Sequence, residues 1–307
     1  MTNDIGLPFQ GRAWYWVESS FGGGMSGTTL PISCYIQSVR VGSGDRHKPI
    51  RDIGTAQVVE LMKLADAPTL HIEYNPQIGD TLLDDCVDRT SCCTLQSMAF
   101  LLETNKCMPV NDDSEFYVTG AKANTVRISG SKDEPWLITV DFLCKSIVTV
   151  TGYGDTAPTP LAGAINTFNL VGGSITKSAG HSAYVTNSVD ITINQNLTPY
   201  YDIGGANPEY IVDGAMDITG TCDVTLDGGG GVQMAEVLAN TAFTLTVNLG
   251  GAGAIQVVIP GCEWDNVEVD SNVSGEAMIS SVPFTAAPVS CVTDAVCATT
   301  IIGTVGA

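Results

Sequence analysis

The sequence has few basic residues. Lys and Arg together number 13, against 33 Asp and Glu, and the formal net charge is −20. Proteins that wrap or read nucleic acid use a basic surface to displace counterions from the phosphates. A charge this negative therefore argues against sequence-specific nucleic-acid binding, and it favours solubility and the repulsion of anions.

Long apolar runs are also missing. No stretch reaches the roughly 18–20 apolar residues that a membrane-spanning helix needs. The opening residues, MTNDIGLPFQGRAWYW, have neither the basic start nor the apolar run of a secretory signal. We therefore expect a soluble chain made in the cytoplasm, with no membrane partner.

Recognisable catalytic motifs are absent as well. The histidines His47, His71 and His181 form no H-E-x-x-H pattern, and no G-x-S-x-G elbow occurs. Acidic groups at 84–88 and 112–115 raise the alternatives of sugar cleavage or calcium binding. The second group lacks the glycine and the terminal acid of a calcium loop, so solvated loops are favoured. The sequence predicts no enzyme, no catalytic residue and no cofactor.

The ten cysteines fall into groups with different interpretations. Apolar surroundings predict buried free thiols at Cys34, Cys144, Cys222 and Cys262. A denser group lacks the paired spacing of zinc sites, and free thiols, a disulfide and a metal site stay open for Cys86, Cys92, Cys93 and Cys107. A disulfide between Cys291 and Cys297 is a further alternative in an oxidising medium.

What the sequence does have is glycine, threonine and strand-like alternation. The stretches SVDITIN, ITGTCDVTL and AFTLTVNL alternate apolar with polar residues, the pattern of a half-buried strand. The predicted core side comprises Val189, Ile191, Ile193, Cys222, Phe243, Leu245 and Val247. The predicted polar side comprises Asp190, Thr192, Asn194, Asp223, Thr225, Thr244, Thr246 and Asn248. A sheet with one apolar face and one polar face packs its apolar face in the core and exposes the polar face to water. The exposed face can lie on the exterior of a protein or on the inside of a pore.

One segment occurs twice. Residues 38–54, SVRVGSGDRHKPIRDIG, align without a gap with residues 188–204, SVDITINQNLTPYYDIG, at a spacing of 150. Residues 124–142 align with 265–284, where Val126 matches Val267 at a spacing of 141. The first copy therefore holds roughly eight or nine extra residues, which we assign to its cysteine-rich loop.

These alignments predict one β-domain duplicated in tandem. We expect an N-terminal arm at 1–34, a first domain at 35–150, a linker or arm at 151–183, a second domain at 184–288 and a tail at 289–307. The cysteine-rich stretch 75–93 is expected to be a long loop or a short helix, and TLQSMAFLLET is ambiguous between helix and strand.

The C-terminal half also resembles a known family. The run VTNSVDITINQNLTPYYDIGGANPEYIVDGAMDITGTCDVTL, followed by AFTLTVNL, VVIPGCEW and GEAMISSVPFTA, is similar to the major tail tube proteins of tailed, siphovirus-like viruses of bacteria and archaea. The ending with Ser-Val-Pro-Phe-Thr-Ala is the most specific piece. The first half departs from this ending, because Asp141 stands where the second half has Pro283.

The resemblance implies a mainly β fold. Each domain is expected to be a β-sandwich or half-barrel with a short flanking helix, and the domains are expected to close into a ring-shaped β-barrel on oligomerisation. Since single-domain members form hexameric rings, a duplicated chain implies a homotrimer with pseudo-sixfold symmetry, stacked into a tube in the virion tail. Implied partners are the tape-measure protein and double-stranded DNA in the lumen, and other tail proteins at the tube ends.

The expected lumen set follows from the polar side of the strands. It comprises the eight polar residues of the second half named above and, from the first half, Arg40, His71 and Glu73, with Arg40 standing where Asp190 stands. The alternative is another virion β-protein, such as a minor tail or baseplate ring or a capsid decoration protein. A secreted enzyme or adhesin is a third hypothesis, for which the sequence offers no signal peptide and no convergent polar site.

Overall fold

The structure of the chain is a computed structural model. It describes residues 11–25, 28–32, 35–44, 46–51, 58–64, 67–77, 79–87, 89–90, 94–104, 114–131, 134–150, 174–178, 186–225, 231–249, 255–266, 279–287 and 302–304. Within these residues the fold is mainly β, with two short helices. Neither helix is long and apolar enough to cross a membrane.

The first half of the chain contains thirteen of the elements below, twelve strands and one helix. In chain order they are β1 (Gly11–Val17), β2 (Leu30–Pro31), β3 (Ile36–Gly42), β4 (Arg46–Arg51), β5 (Val58–Leu64), β6 (Thr69–Tyr74), α1 (Leu82–Val87), β7 (Arg89–Thr90), β8 (Thr94–Leu95), β9 (Met98–Thr104), β10 (Ser114–Ser131), β11 (Leu137–Leu143) and β12 (Ser146–Val150). The ambiguous stretch TLQSMAFLLET is therefore strand, and a short helix lies in the cysteine-rich loop.

The second half contains the remaining elements. They are β13 (Ser174–Lys177), β14 (Thr186–Asn194), β15 (Thr198–Tyr200), β16 (Tyr210–Val212), β17 (Asp217–Thr225), α2 (Gly231–Leu238), β18 (Phe243–Asn248), β19 (Ile255–Trp264), β20 (Ile279–Ala286) and β21 (Ile302–Thr304). The helix α2 lies between the strands β17 and β18.

The two halves have the same strand order. The first runs β1-β9-β10-β11-β6-β3 with β12 beside β10, and the second runs β13-β18-β19-β20-β17-β14 with β21 beside β19. The register corresponds as well, because Val39 pairs with Ile72 in the first half while Val189 pairs with Cys222 in the second. In both pairs of corresponding residues, Val39 with Val189 and Ile72 with Cys222, the residue numbers differ by 150, which is the spacing of the sequence repeat.

A direct strand pairing joins the halves. The C-terminal part of β10 pairs with β11 on one side and with β14 on the other, where Arg127 lies opposite Thr192. The main sheet therefore continues from one half into the other, in the order β13-β18-β19-β20-β17-β14-β10-β11-β6-β3.

The long strand β10 serves two parts of the sheet. Its residues 114–121 pair with β9 and β12, whereas residues 122–131 pair with β11 and β14. Between them the register shifts near Gly120, which has a φ of 60° and would place a Cβ 2.6 Å from the Cβ of Lys145. Gly261, with a φ of 68°, lies at the corresponding irregularity of β19. Glycine is required at such positions because an L side chain disfavours this backbone region.

Aromatic side chains from both sides of these breaks meet in the core. The rings of Phe100 on β9 and Phe142 on β11 make an edge contact, with centroids 4.9 Å apart. In the second half Phe243 and Trp264 have centroids 4.8 Å apart. The sheet therefore folds over its own apolar side, and residues of both halves belong to one continuous core.

Four described strands lie in segments that the sequence assigned to arms or linker. β1 and β2 fall within 1–34, β13 within 151–183 and β21 within 289–307. β1, β13 and β21 pair with β9, β18 and β19, and β2 pairs with β1. The reason is clearest in β1, which is apolar on both sides. Tyr15 is fully buried and stacks on Phe100, while Trp14 and Trp16 pack against Leu101. Burial on both sides removes the alternation that marks a strand in the sequence.

Candidate functional site

The strand order places polar side chains in rows that cross both halves. One row runs over seven neighbouring strands through Ser38, Glu73, Thr139, Arg127, Thr192, Thr219 and Thr285. A second row beside it contains Arg40, His71, Asp141, Thr125, Asn194 and Asp217. Two shorter rows contain Ser129, Asp190 and Thr221, and Ser131, Ser188, Asp223 and Ser281. We call these rows together the polar face.

The polar face exists because these strands alternate strictly. Ile72, Val126, Ile191 and Ile193, which flank the polar residues, are fully buried. Since neighbouring residues of a strand point to opposite sides, their polar neighbours are turned away from the core. The predicted core residues Val189, Cys222, Phe243, Leu245 and Val247 are buried too.

Two ion pairs bridge strands on the polar face. The guanidinium of Arg127 binds the carboxylate of Asp190. Nε of Arg127 lies 2.9 Å from Oδ1 and 3.0 Å from Oδ2 of Asp190, and Nη2 also contacts the carboxylate. This contact raises the pKa of Arg127 through the hydrogen bond and the charge of Asp190. His71 Nδ1 lies 2.7 Å from Asp141 Oδ1, across β6 and β11. The first pair lies at the junction between the two halves.

The remaining acids bind only neutral partners or none in the described part of the chain. Asn196 Nδ2 donates to Asp217 at 2.6 Å, and the hydroxyl of Ser188 donates to Asp223. The polar face carries more acids than bases. Its acids are Glu73, Asp141, Asp190, Asp217 and Asp223, and its basic residues are Arg40, Arg127 and His71. Its overall character is therefore acidic and hydroxyl-rich.

The structure brings most of the sequence-predicted candidates together. The polar face contains Arg40, His71, Glu73, Asp190, Thr192, Asn194 and Asp223. Thr225 continues β17 opposite Ile279, although its side chain is outside the described part.

The three candidates on β18 lie elsewhere. Thr244, Thr246 and Asn248 belong to a strand that pairs with β13 and β19, and they share no row with the polar face. Asn248 Nδ2 donates to Ser174 Oγ at 2.8 Å, and Gln256 Nε2 donates to Asn248 Oδ1 at 2.9 Å. Alternation predicts which side of one strand is polar, but it does not reveal whether two polar sides share a surface.

Sequence reasoning missed several members of the face. Arg127, Thr139, Asp141 and Asp217 were not among the candidates, although they complete its rows. The signal was present in NTVRISG, where Arg127 stands between the buried residues Val126 and Ile128. The pairing of β10 with β14 was needed to bring it to Asp190.

Other polar groups in the interior serve the fold. The carboxylate of Glu18 accepts backbone N–H groups of Gly22, Gly24 and Gly120 at 2.9–3.1 Å, which fixes the loop after β1. Lys122 Nζ lies 2.8 Å from Asp213 Oδ1, with both side chains almost buried. Each of these groups is satisfied within the chain, so neither is arranged to receive a ligand.

The cysteines described by the structure are unsuited to metal or redox chemistry. Cys86, Cys144, Cys222 and Cys262 are free and buried, as predicted for the last three. Burial raises the pKa of the Cys222 thiol to about 12, so it stays protonated and unreactive. No group of three or more potential metal ligands occurs in the described ranges. The predictions for Cys34, Cys92, Cys93, Cys107, Cys291 and Cys297 fall outside those ranges.

A comparison with models of known protein families identifies a family that includes this chain. A family model described as phage tail tube protein matches residues 4–286 of the chain. No curated protein matches the sequence. The family model covers both halves of the fold and the whole polar face.

Proposed function

The chain belongs to the phage tail tube protein family, and we propose that three copies form a ring in which the polar face lines the lumen. As a member of this family it is a structural, non-enzymatic component of the virion tail, made in the host cytoplasm, and it self-assembles into a tube with other tail proteins. The family match favours this function over a capsid decoration protein.

The observation that carries the proposal is the continuity of the polar face. Its rows cross β3, β6, β11, β10, β14, β17 and β20 without interruption at the junction of the halves. A surface of this kind is suited to the wall of a water-filled conduit, because one side of the sheet packs in the apolar core and the other side is exposed to water.

The matching strand order of the halves supports a tandem duplication. If each half supplies one of six similar wall segments, three chains complete a ring. With about four strands per half on the inner wall, the ring contains roughly 24 inner strands. Closure of the ring also pairs the edge strands of neighbouring chains. Unpaired edge strands otherwise promote aggregation.

The acidic character of the polar face fits a conduit for DNA. Basic residues bind phosphates non-specifically, so a wall with excess carboxylates lets double-stranded DNA pass without adhering. The tape-measure protein would occupy the same lumen before the DNA. Within the sequence-based lumen set, we assign the members of the polar face to the wall and leave Thr244, Thr246 and Asn248 outside it.

The number of chains per ring tests the proposal. Purified tubes should give three chains per ring in a symmetry-resolved cryo-electron microscopy reconstruction, with the polar face inside. Native mass spectrometry of dissociated rings should give three times the 32.1 kDa chain mass. Six chains per ring, or the polar face on the outer surface, would contradict it.

A further inference from the structure

The β15–β16 hairpin of the second half docks on the first half. Ile211 of β16 and Leu197, which precedes β15, are buried together with Leu95 of β8. Lys122 of β10 donates to the backbone carbonyl of Ile211 at 3.1 Å and to Asp213 Oδ1 at 2.8 Å. The backbone N–H of Leu95 donates to the other oxygen of Asp213 at 3.0 Å. A small apolar contact and an almost buried ion pair therefore hold this hairpin against the first half.

The β4–β5 hairpin of the first half is the structural counterpart of β15–β16. All three residue pairs of β15–β16 recur in β4–β5 at the repeat spacing of 150. Those of β15–β16 are Thr198 with Val212, Pro199 with Ile211 and Tyr200 with Tyr210, and those of β4–β5 are Lys48 with Met62, Pro49 with Leu61 and Ile50 with Glu60. By this register and the sequence, Leu61 takes the position of Ile211, and Lys63 takes that of Asp213.

The strand that supplies Lys122 in the first half also has a counterpart in the second. Lys122 of β10 lies opposite Leu143 of β11. Glu263 of β19 lies opposite Thr285 of β20, at spacings of 141 and 142 from these two residues. Glu263 therefore takes the position of Lys122. It is half-buried, and none of the ion pairs within the described ranges includes it.

The connection after the helix differs in the same way. In the first half β7 and β8 connect α1 to β9, where Leu95 packs against the β15–β16 hairpin and Arg89 Nη2 donates to the carbonyl of Gly214 at 3.0 Å. In the second half residues 239–242 connect α2 to β18, and Leu238, the last residue of α2, is 80% exposed. The second half thus presents an exposed leucine and a carboxylate where the first half uses a leucine and an ammonium to hold a hairpin.

We propose that the β4–β5 hairpin of one copy docks on the second half of a neighbouring copy, against Leu238 and Glu263. The hairpin connects β3 to β6, and among the described strands β3 pairs only with β6, while the second half of the same chain adjoins β10 instead. Lys63 and Glu263 then form between chains the ion pair that the β15–β16 hairpin forms with Lys122 inside one chain, with the charges exchanged. This inference rests on the proposed ring, and it names a contact between neighbouring chains.

The exchanged charges give each hairpin one suitable partner. Asp213 of the second hairpin attracts Lys122 but would be repelled by Glu263. Lys63 of the first hairpin attracts Glu263 but would be repelled by Lys122. Like charges thus penalise both wrong combinations, which is how charge patterns select partners. A duplicated chain needs this discrimination, because its two hairpins have the same backbone pairing.

Charge exchange tests the contact. Glu263→Lys and Lys63→Glu should each lower the yield of rings about ten-fold at low salt, because like charges then meet at every junction between chains. The double variant should recover at least about half of the wild-type yield, since it restores an opposite pair. Single variants that assemble normally, or a double variant without recovery, would overturn the inference.

Two further variants separate this contact from net charge and from folding. Asp202→Lys makes the same change of charge at an exposed residue between β15 and β16, and it should leave the ring yield unchanged. An equal loss in this variant would overturn the inference, because net charge would then set the yield. Leu238→Asp should lower the ring yield while urea unfolding of the unassembled chain stays at its wild-type midpoint, since this side chain is exposed. Normal rings from Leu238→Asp would contradict the proposed surface.

Carbodiimide cross-linking tests the pairing without a substitution, because the reagent joins an amine only to a carboxylate that it contacts. Rings assembled from a mixture of isotope-labelled and unlabelled chains should yield, after digestion, a peptide that links Lys63 to Glu263. Part of this peptide should carry the label on one side only, as a link between two chains requires. A link found only in uniformly labelled or uniformly unlabelled peptides lies within one chain and would overturn the inference.

The outcomes separate this inference from the proposed function. If the wild-type protein forms no ring, the proposed function fails. If rings form but contain no peptide that links Lys63 to Glu263 between chains, and the charge variants assemble normally, only the hairpin contact is wrong.

Discussion

Asp190 has a structural role that its neighbour on the polar face lacks. Its carboxylate holds Arg127 across the strands that join the halves, while Asp223, among the described residues, accepts a hydrogen bond from the Ser188 hydroxyl and forms no ion pair. Lysine at 190 would face Arg127, whereas lysine at 223 would lose one neutral hydrogen bond. The sequence alone made these two acids equivalent, because both stand at polar positions of alternating strands.

We therefore expect the two substitutions to differ in stability. Asp190→Lys should lower the free energy of unfolding by about 1 kcal/mol more than Asp223→Lys, since the ion pair is partly exposed and is replaced by a repulsion. Urea unfolding of the unassembled chain measures the difference, and 0.5 M salt should reduce it. Equal losses for the two variants would show that the Arg127–Asp190 pair does not support the junction.

A second residue-scale prediction concerns Asp80, which precedes α1. Burial raises the pKa of its carboxyl to about 7, although the backbone N–H of Leu82 donates to Oδ1 at 3.0 Å and opposes this shift. The folded state therefore keeps the proton to a higher pH than the unfolded chain does. The stabilising effect of Asp80 is complete below its unfolded pKa, near 4, and is lost as the pH rises to about 7.

Asp80→Asn isolates this effect, because asparagine keeps Oδ1 and has no charge to lose. Between pH 4 and 7 the stability of the wild type should fall relative to the variant by roughly 2–4 kcal/mol. The measurement is the free energy of unfolding of both proteins across this range. A constant difference between them would mean that Asp80 titrates as in the unfolded chain.

At the scale of elements, α2 is tied to the sheet by a buried ion pair. Lys177 of β13 is fully buried and contacts Glu236 of α2, and its Nζ also lies 4.8 Å from the ring centroid of Phe243. Trp264 Nε1 donates to the same carboxylate at 3.1 Å. One acid thus joins the helix, β13 and β19.

Removing this acid should be costly because it leaves a buried charge. Glu236→Gln is expected to lower the free energy of unfolding by about 3 kcal/mol, and the additional Lys177→Met should restore most of it. A double-mutant cycle by thermal or urea unfolding measures the coupling. Additive losses in the double variant would contradict it.

The elements also show what a sequence can predict here. Strands with one buried and one polar side, such as β14 and β18, were predictable because each apolar residue is followed by a polar one. β1 was not, since Tyr15 and Trp16 are buried on opposite sides. The polar face was predictable strand by strand, but its extent depends on the β10–β14 pairing. That contact between distant residues leaves no periodic signal.

At the scale of the whole molecule, the polar face and the β18 surface offer a matched comparison. Thr219 is exposed on the polar face and lies opposite Thr192 and Thr285, so a lysine there is not placed directly opposite the Arg127–Asp190 pair. Thr246 is a threonine at an equally regular strand position on β18, which shares no row with Thr219. Charge can therefore be added to the proposed lumen or outside it with the same chemical change.

Virions carrying Thr219→Lys should eject DNA at least about ten-fold more slowly at low salt, because the lysine repeats around every ring and attracts phosphates. Raising the salt concentration should restore the rate of ejection. The entropy gained by releasing counterions from DNA falls as the salt concentration rises, so the attraction between lysine and phosphate weakens. Thr246→Lys should leave the rate unchanged, and both variants should form tubes of normal length. Slowing by Thr246→Lys alone would place β18 rather than the polar face along the path of the DNA.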